Sequence, residues 1–391
     1  MHGRGQLAFW KDPGFARPAG WRQGYHSYGA ISCRKTARMT SSGLQSSRAS
    51  SIHELARRFI FPLLVFSAAR RGNVASRSER LRVANRLVED VERLYNIGHV
   101  TNARVLPNNP NVFPLTTEDG SEFYLKLKSQ GPDRVDFEHE LLDHLSGQGI
   151  PVAPALETKK GKKIFRVRFG GPFALYPALP GKRLTSWRPA HLELYGRFLA
   201  RLHEAMKTYS GARKKVVRSN ILKSADEAAV IMLDRVRTPV MDLDRSLIRA
   251  VRREIARKFT RSAYRRLPKQ LIHRDYHPWN IKLSGSAVVG MLDFEFAVRE
   301  FRLFDLCYIG GAILSDDFTH AKKWAERFEV IARAFEETAP LTSLERSLMR
   351  ATFLIIGILY VQFLLRQRNI QSALHTQSVL RWLYEECDAF E

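Results

Sequence analysis

The stretch Leu271-Ile272-His273-Arg274-Asp275-Tyr276-His277-Pro278-Trp279-Asn280, followed by Leu292-Asp293-Phe294-Glu295, limits what this chain can be more than any other part of it. Pro268 ends the basic segment before it, Ile281-Lys282-Leu283 and Ala287 to Leu292 read as two short strands, and Ser284-Gly285-Ser286 supplies the turn between them. Such a hairpin returns Asp293 to the side of Asn280, so Asp275, Asn280 and Asp293 gather on one sheet edge. Taken singly, each acid is more often a solvated or capping residue than a catalyst. Together they have the residue types that phosphoryl transfer requires. One carboxylate orients or accepts the proton of an attacking hydroxyl, while an amide oxygen and a second carboxylate hold Mg2+ against nucleotide phosphates.

His273-Arg274-Asp275 with Asn280 resembles the catalytic loop of protein kinases, and His-x-Asp-x-His-Pro-x-Asn followed by Asp-Phe-Glu resembles the aminoglycoside phosphotransferase and choline kinase family more closely. Glu295 stands two residues after Asp293, where protein kinases have glycine, which favours the small-molecule branch. The resemblance runs from about residue 85 to the C-terminus. It implies an α+β, two-lobed protein-kinase-like fold, with a small antiparallel-sheet N-lobe and a mainly helical C-lobe. The expected divisions are a basic extension over 1–50, an N-lobe with capping helices over 51–175, and a C-lobe carrying the catalytic loop and acceptor site over 176–391. ATP and Mg2+ are the implied cofactors, with Asp275 as base and Asn280 and Asp293 as metal ligands.

A formal charge of +24 over 391 residues raises nucleic acid or an acidic membrane as partners. No finger, basic zipper or aromatic-and-glycine RNA-binding motif accompanies the charge, so no nucleic-acid partner is expected. Cys33, Cys307 and Cys387 are too few and scattered for a disulfide framework or zinc site, and a reducing cytoplasm is the default. The apolar runs Ile60 to Phe66 and Ala351 to Leu365 fall short of the roughly 20 residues that span a bilayer, so no membrane partner is expected.

Residues 1 to about 50 are rich in Arg, Lys, Gly and Ser, with Asp12 their only acid, and read as disordered. The composition superficially fits a transit peptide, but Pro13, Pro18 and repeated glycines interrupt any amphipathic helix. An appended or misassigned start, with Met39 as an alternative, fits better. Residues 51 to 97 read as helical. From Ala103 the pattern changes: Ala103 to Leu106, Asn111 to Thr117 and Glu122 to Lys128 are strands, separated by Pro-Asn and Glu-Asp-Gly-Ser turns. In the last strand Phe123, Leu125 and Leu127 share one face, and Tyr124, Lys126 and Lys128 the other. Parity alone leaves open which lysine faces phosphates, or whether both are solvated. The resemblance selects Lys126. A helix from about Asp136 to Leu145 carries Glu138 within its apolar stripe. A carboxylate on a buried face needs a partner, and Lys126 is the candidate, with the pair holding the nucleotide phosphates.

By the same resemblance Tyr176 to Leu179 form the hinge whose backbone pairs with adenine. His191 to Met206 reads as an amphipathic helix whose His203 is a core residue bonded to a backbone group. Residues 207 to 267 read as basic and largely helical, and 317 to 390 as helical, with Thr342 and Glu345 in capping-box spacing. Asp305 matches a family residue that braces the loop. His277 and Glu295 contact substrate or brace the loop, and the sequence does not separate these roles. The function implied is ATP- and Mg2+-dependent phosphorylation of a small-molecule hydroxyl. Homoserine, amino alcohols, aminoglycosides and sugars all stay open as acceptors. A catalytically silent kinase-like scaffold is the alternative. A protein kinase fits less well, because no glycine-rich loop is present.

Overall fold

The computed structural model describes residues 77–104, 106, 109, 111–166, 171–183, 187–211 and 219–387. The expectations for residues 1–50, and the helical reading of 51–76, lie outside the described residues.

Helix α1 (Arg77–Leu94) leads into strands β1 (Val100–Ala103), β2 (Val112–Thr117) and β3 (Glu122–Leu127), then helix α2 (Pro132–Gly147). Strands β4 (Phe165–Arg166) and β5 (Pro172–Pro177) complete a five-stranded antiparallel sheet of order β1-β2-β3-β5-β4. The first strand begins at Val100, earlier than Ala103. A bulge between Val100 and Asn102 keeps it in register with β2. The β2–β3 turn forms as its residues require: Gly120 takes φ 80°, and Asp119 accepts from Ser121 N (3.0 Å) and Thr117 Oγ1 (2.6 Å). Leu125 packs with Phe113, Leu115, Phe173 and Leu175 against Leu87 and Val91 of α1 and Tyr95 just after it. That leaves the opposite face of β3, with its two lysines, toward α2. The helix starts at Pro132, before Asp136, because proline suits the first helical position, where its missing N–H costs nothing.

The C-lobe is helical: α3 (Pro189–Lys207), α4 (Ile221–Leu233), α5 (Arg245–Lys258) and α6 (Arg261–Arg266) precede the loop segment, and α7 (Leu303–Asp316), α8 (Trp324–Glu336), α9 (Ser343–Ser347), α10 (Met349–Arg366) and α11 (Ile370–Glu385) follow it. Gly196 lets α3 cross α8 closely, since a Cβ there would stand 2.2 Å from the Ile331 carbonyl. The expected capping box forms at Thr342 and Glu345, and the buried Glu345 carboxylate also takes Arg302 Nε and Nη2 at 2.8 and 3.0 Å. Helix α10 has the length and apolarity of a membrane span, yet 67% of it is buried, packed against α4, α5, α7 and α11. Its apolarity is that of a core helix.

Two small sheets carry the loop. Strand β6 (Lys269–Ile272) pairs antiparallel with β9 (Val298–Phe301), and β7 (Ile281–Ser284) forms a hairpin with β8 (Ala287–Met291). Gly181, at φ 82°, brings the inter-lobe linker against this hairpin, where any Cβ would meet the Leu283 carbonyl at 2.7 Å. Lys182 and Leu283 exchange both backbone hydrogen bonds there, at 2.9 and 2.8 Å. The hairpin is thereby fixed to the connection between the lobes.

Candidate active site

The loop after β6 is held from below. Asp305, fully buried in the first turn of α7, accepts from His273 N and Arg274 N, both at 2.7 Å. His203 donates Nε2–H to the same carboxylate at 2.9 Å. Its partner is therefore a side chain of α7, where the sequence suggested a backbone group. His273 Nε2–H donates to the Leu292 carbonyl (2.9 Å), and its Nδ1 accepts from Asp275 N (3.2 Å), so one imidazole ties the loop to the end of the hairpin. Arg274 sits at φ 66°. A left-handed conformation costs a residue with a Cβ about 1 kcal/mol, and the two N–H bonds to Asp305 enforce it.

Asp275 has both carboxylate oxygens engaged. Oδ1 accepts from Tyr308 OH at 2.8 Å and Oδ2 from Asn280 Nδ2 at 2.9 Å, with His277 Nε2 at 3.4 Å. Burial opposes ionisation, but His277, His273 and the Tyr308 hydrogen bond outweigh it and hold the carboxyl below its ordinary range. Asn280 also spends Nδ2 on the Asp275 carbonyl (3.0 Å). Its Oδ1 accepts no hydrogen bond among the described residues and is left for an electropositive partner.

Asp293 lies at φ 60°, with Oδ1 on Lys126 Nζ. Burial favours the neutral acid, and the Lys126 ammonium overrides it, so Asp293 stays ionised. Lys126 does not make the ion pair expected with Glu138. Lys128 Nζ takes both Glu138 oxygens, at 2.9 and 2.7 Å, with both side chains buried. The reason lies in the path of the chain: β3 runs directly into α2, so the lysine nearer its end reaches the first turns of that helix. The one two residues earlier lies over the end of the hairpin. Glu138 still acts on Lys126 through space.

Tyr176 lies under both ammonium groups, with Nζ of Lys126 and Lys128 at 5.8 and 5.7 Å from its ring centroid, a cation–π arrangement. Its hydroxyl bonds His139 Nε2 at 3.0 Å. Leu179, at the end of the same linker, gives its carbonyl to Lys282 Nζ. Glu295 gives its carbonyl to Arg134 (Nη2 2.6 Å, Nε 3.1 Å) and Gln130 (3.2 Å), and burial pushes its carboxyl up. On the far side of Asp275, Trp279 and Ala312 form a small apolar cluster against which Tyr308 and Tyr360 pack. Among the described residues no three His, Cys, Asp or Glu side chains are arranged to hold an ion by themselves. Asn280 Oδ1 and Asp293 would suit a Mg2+ ion that takes its other ligands from phosphates and water.

His139, 4% exposed, supplies a pH test of this lysine cluster. Burial pushes its imidazole down to about 4, with Lys128 and Lys163 adding to the effect and Glu138 opposing it. The unfolded chain therefore binds the proton first, near pH 6.5, and stability falls as pH drops from about 6.5 to 4, by at most about 3 kcal/mol. Urea denaturation over that window is expected to show a shallower pH slope for His139→Gln than for the wild type.

Sequence reasoning named Asp275, Asn280, Asp293, Lys126, Glu138, Tyr176, Leu179, His277, Glu295 and Asp305, and the structure places them on the loop, the hairpin and the adjoining β3, α2 and linker, with Asp305 buried beneath the loop. It missed Tyr308, and it gave Lys126 the carboxylate partner that Lys128 takes. Lys128 was visible in the parity of β3. Tyr308 follows Asp305 by three residues, one helical turn on the same face of α7.

The sequence pattern of the phosphotransferase enzyme family matches residues 107–342, more than half of the chain. Homoserine kinase of Methylobacillus flagellatus is 26% identical over 257 residues, covering 65% of this chain and 76% of that protein. The structure of the amicoumacin kinase hAmiN, in complex with AMP-PNP, Ca2+ and Ami, superposes with a TM-score of 0.61 at 14% identity, over 80% of this chain and 97% of that one. A microcompartment-associated aminopropanol kinase gives 0.58 at 12% identity, over 78% and 99%. These likenesses establish the two-lobed protein-kinase-like fold.

Proposed function

Because the chain belongs to the phosphotransferase enzyme family, we propose that it transfers the γ-phosphate of ATP, with Mg2+, to a hydroxyl of a small acceptor. The observation that carries this reading is the convergence of a doubly anchored, ionised Asp275, the unspent Asn280 Oδ1, and the Lys126–Asp293 pair at the end of one hairpin. Each has a task in aligning in-line transfer. Nucleotide draws Lys126 away from Asp293 onto the α- and β-phosphates, while Glu138 and Lys128 keep the cluster electrically balanced. The linker Tyr176–Leu179 offers its backbone edge to the base. Mg2+ on Asn280 and Asp293 would neutralise charge between the β- and γ-phosphates. Asp275 receives the acceptor hydroxyl and takes its proton late, as a weak base suits a loose transition state.

The homoserine kinase relatives favour a short hydroxylated amine over an aminoglycoside. The aromatic wall of Trp279, Tyr308 and Tyr360 beside Asp275 supports the same choice, since a tri-cyclic polycation needs an open, acidic site. ATP consumption by the full chain is to be measured against a panel of amino alcohols, hydroxy amino acids, sugars and aminoglycosides, with and without Mg2+. Stimulation by short acceptors, abolished by chelation, is the expected result. Nucleotide binding with no stimulation by any acceptor would favour the scaffold reading instead.

A further inference from the structure

Arg274 stands directly before Asp275, held at φ 66° by Asp305. Glycine would take that conformation without strain, so an arginine there points to a use for the side chain. That side chain is half-buried and makes no hydrogen bond or ion pair among the described residues. The acids within its electrostatic reach include Glu300 and Asp275, and each is already engaged by other donors. Glu300 accepts from Ile221 N (3.1 Å), Phe301 N (3.0 Å) and Tyr264 OH. Asp275 is taken by Asn280 and Tyr308, and Asp305, which fixes the Arg274 backbone, by three donors. Arg134, at the start of α2, is near enough to repel Arg274. Its Nε and Nη2 are spent on the Glu295 carbonyl, and its Nη1 is buried without a partner among the described residues. Lys126 and Lys128 are neutralised by Asp293 and Glu138. Neither Arg274 nor Arg134 therefore has a side-chain ion-pair partner among the described residues, and Arg274 stands directly beside the base.

We propose that the acceptor carries a carboxylate, and that Arg274 binds this carboxylate while Asp275 receives the acceptor hydroxyl. The inference rests on the kinase reading above and narrows it to hydroxy acids, amino acids among them. A planar guanidinium suits a carboxylate because it offers paired donors in one plane. The same charge works against polycationic acceptors.

The test compares acceptors with their decarboxylated counterparts: homoserine with 3-amino-1-propanol, serine with ethanolamine, and 4-hydroxybutyrate with 1-propanol. Initial rates are measured with the full chain, ATP and Mg2+, for the wild type, Arg274→Gly and Arg274→Lys. The wild type is expected to prefer the acid of at least one pair by about tenfold to a hundredfold in kcat/KM, the range of one charge-assisted hydrogen-bonded contact. Arg274→Gly is expected to bring that ratio to within a few-fold of one, chiefly through acceptor KM, with Arg274→Lys in between. Its melting temperature is expected not to fall, because the strained φ is relieved, whereas a purely structural arginine would lower it. Equal use of both members of every pair by the wild type would overturn the proposal. So would a ratio that Arg274→Gly leaves unchanged. Turnover with carboxylate-free acceptors alone would likewise overturn it while leaving the kinase reading standing, and no turnover with any acceptor would remove the kinase reading itself.

Discussion

Asp275→Asn is expected to lower kcat by about 10²- to 10⁴-fold, the usual contribution of a positioned proton acceptor, with little change in ATP affinity or melting temperature. The substitution is nearly isosteric. The new amide oxygen can still accept from Asn280, and Tyr308 can turn its hydroxyl to accept from the new amide N–H, so the loop geometry held by Asp305 and His273 survives. What disappears is the negative charge against which an acceptor hydroxyl is oriented. Steady-state kinetics beside isothermal nucleotide binding separates the two quantities. A loss of ATP affinity as large as the loss of turnover would move Asp275 from the acceptor to the nucleotide side of the site.

The second large effect separates the two lysines of β3. Lys128→Met leaves the Glu138 carboxylate, 5% exposed, without its ion-pair partner, and breaking one side of a buried pair costs about 3–5 kcal/mol. Lys126→Met leaves Asp293 at the cleft, where solvent or a metal ion can compensate, so its thermal cost is expected to be smaller and its effect on ATP KM larger. Chemical denaturation and ATP titration of both variants should therefore rank them in opposite orders. The double variant Lys128→Met, Glu138→Leu should recover much of the stability, since replacing a whole buried pair by apolar groups is often neutral. If Lys126→Met proved the less stable variant and Lys128→Met the poorer nucleotide binder, the two assignments would have to be exchanged.

That exchange of partners marks where the sequence stopped being legible. Alternation along Glu122 to Lys128 placed both lysines on one face, and the structure sets both ammonium groups over the Tyr176 ring. Choosing between them required the direction in which β3 feeds α2, and this is a three-dimensional fact. The hairpin Ile281 to Met291 was readable because its turn residues and short apolar runs are local signals. Strand β9 was not, because Val298-Arg299-Glu300-Phe301 is short and acquires its identity only from its partner β6. Tyr308 reads as one more apolar residue of α7 until the loop is laid across that helix. The two left-handed residues of the site, Arg274 and Asp293, are likewise invisible in composition, since neither is a glycine and each is held by hydrogen bonds from elsewhere.

The central claim is that a phosphoryl group leaves ATP for a hydroxyl oriented by Asp275. Phosphorus-31 NMR of the full chain with ATP, Mg2+ and the acceptor pool follows that event at the transferred atom itself. A new phosphomonoester resonance is expected to grow as the γ-phosphate signal decays, and to be suppressed by orders of magnitude in Asp275→Asn. Decay of ATP to inorganic phosphate alone, or a phosphomonoester formed equally fast by Asp275→Asn, would contradict it.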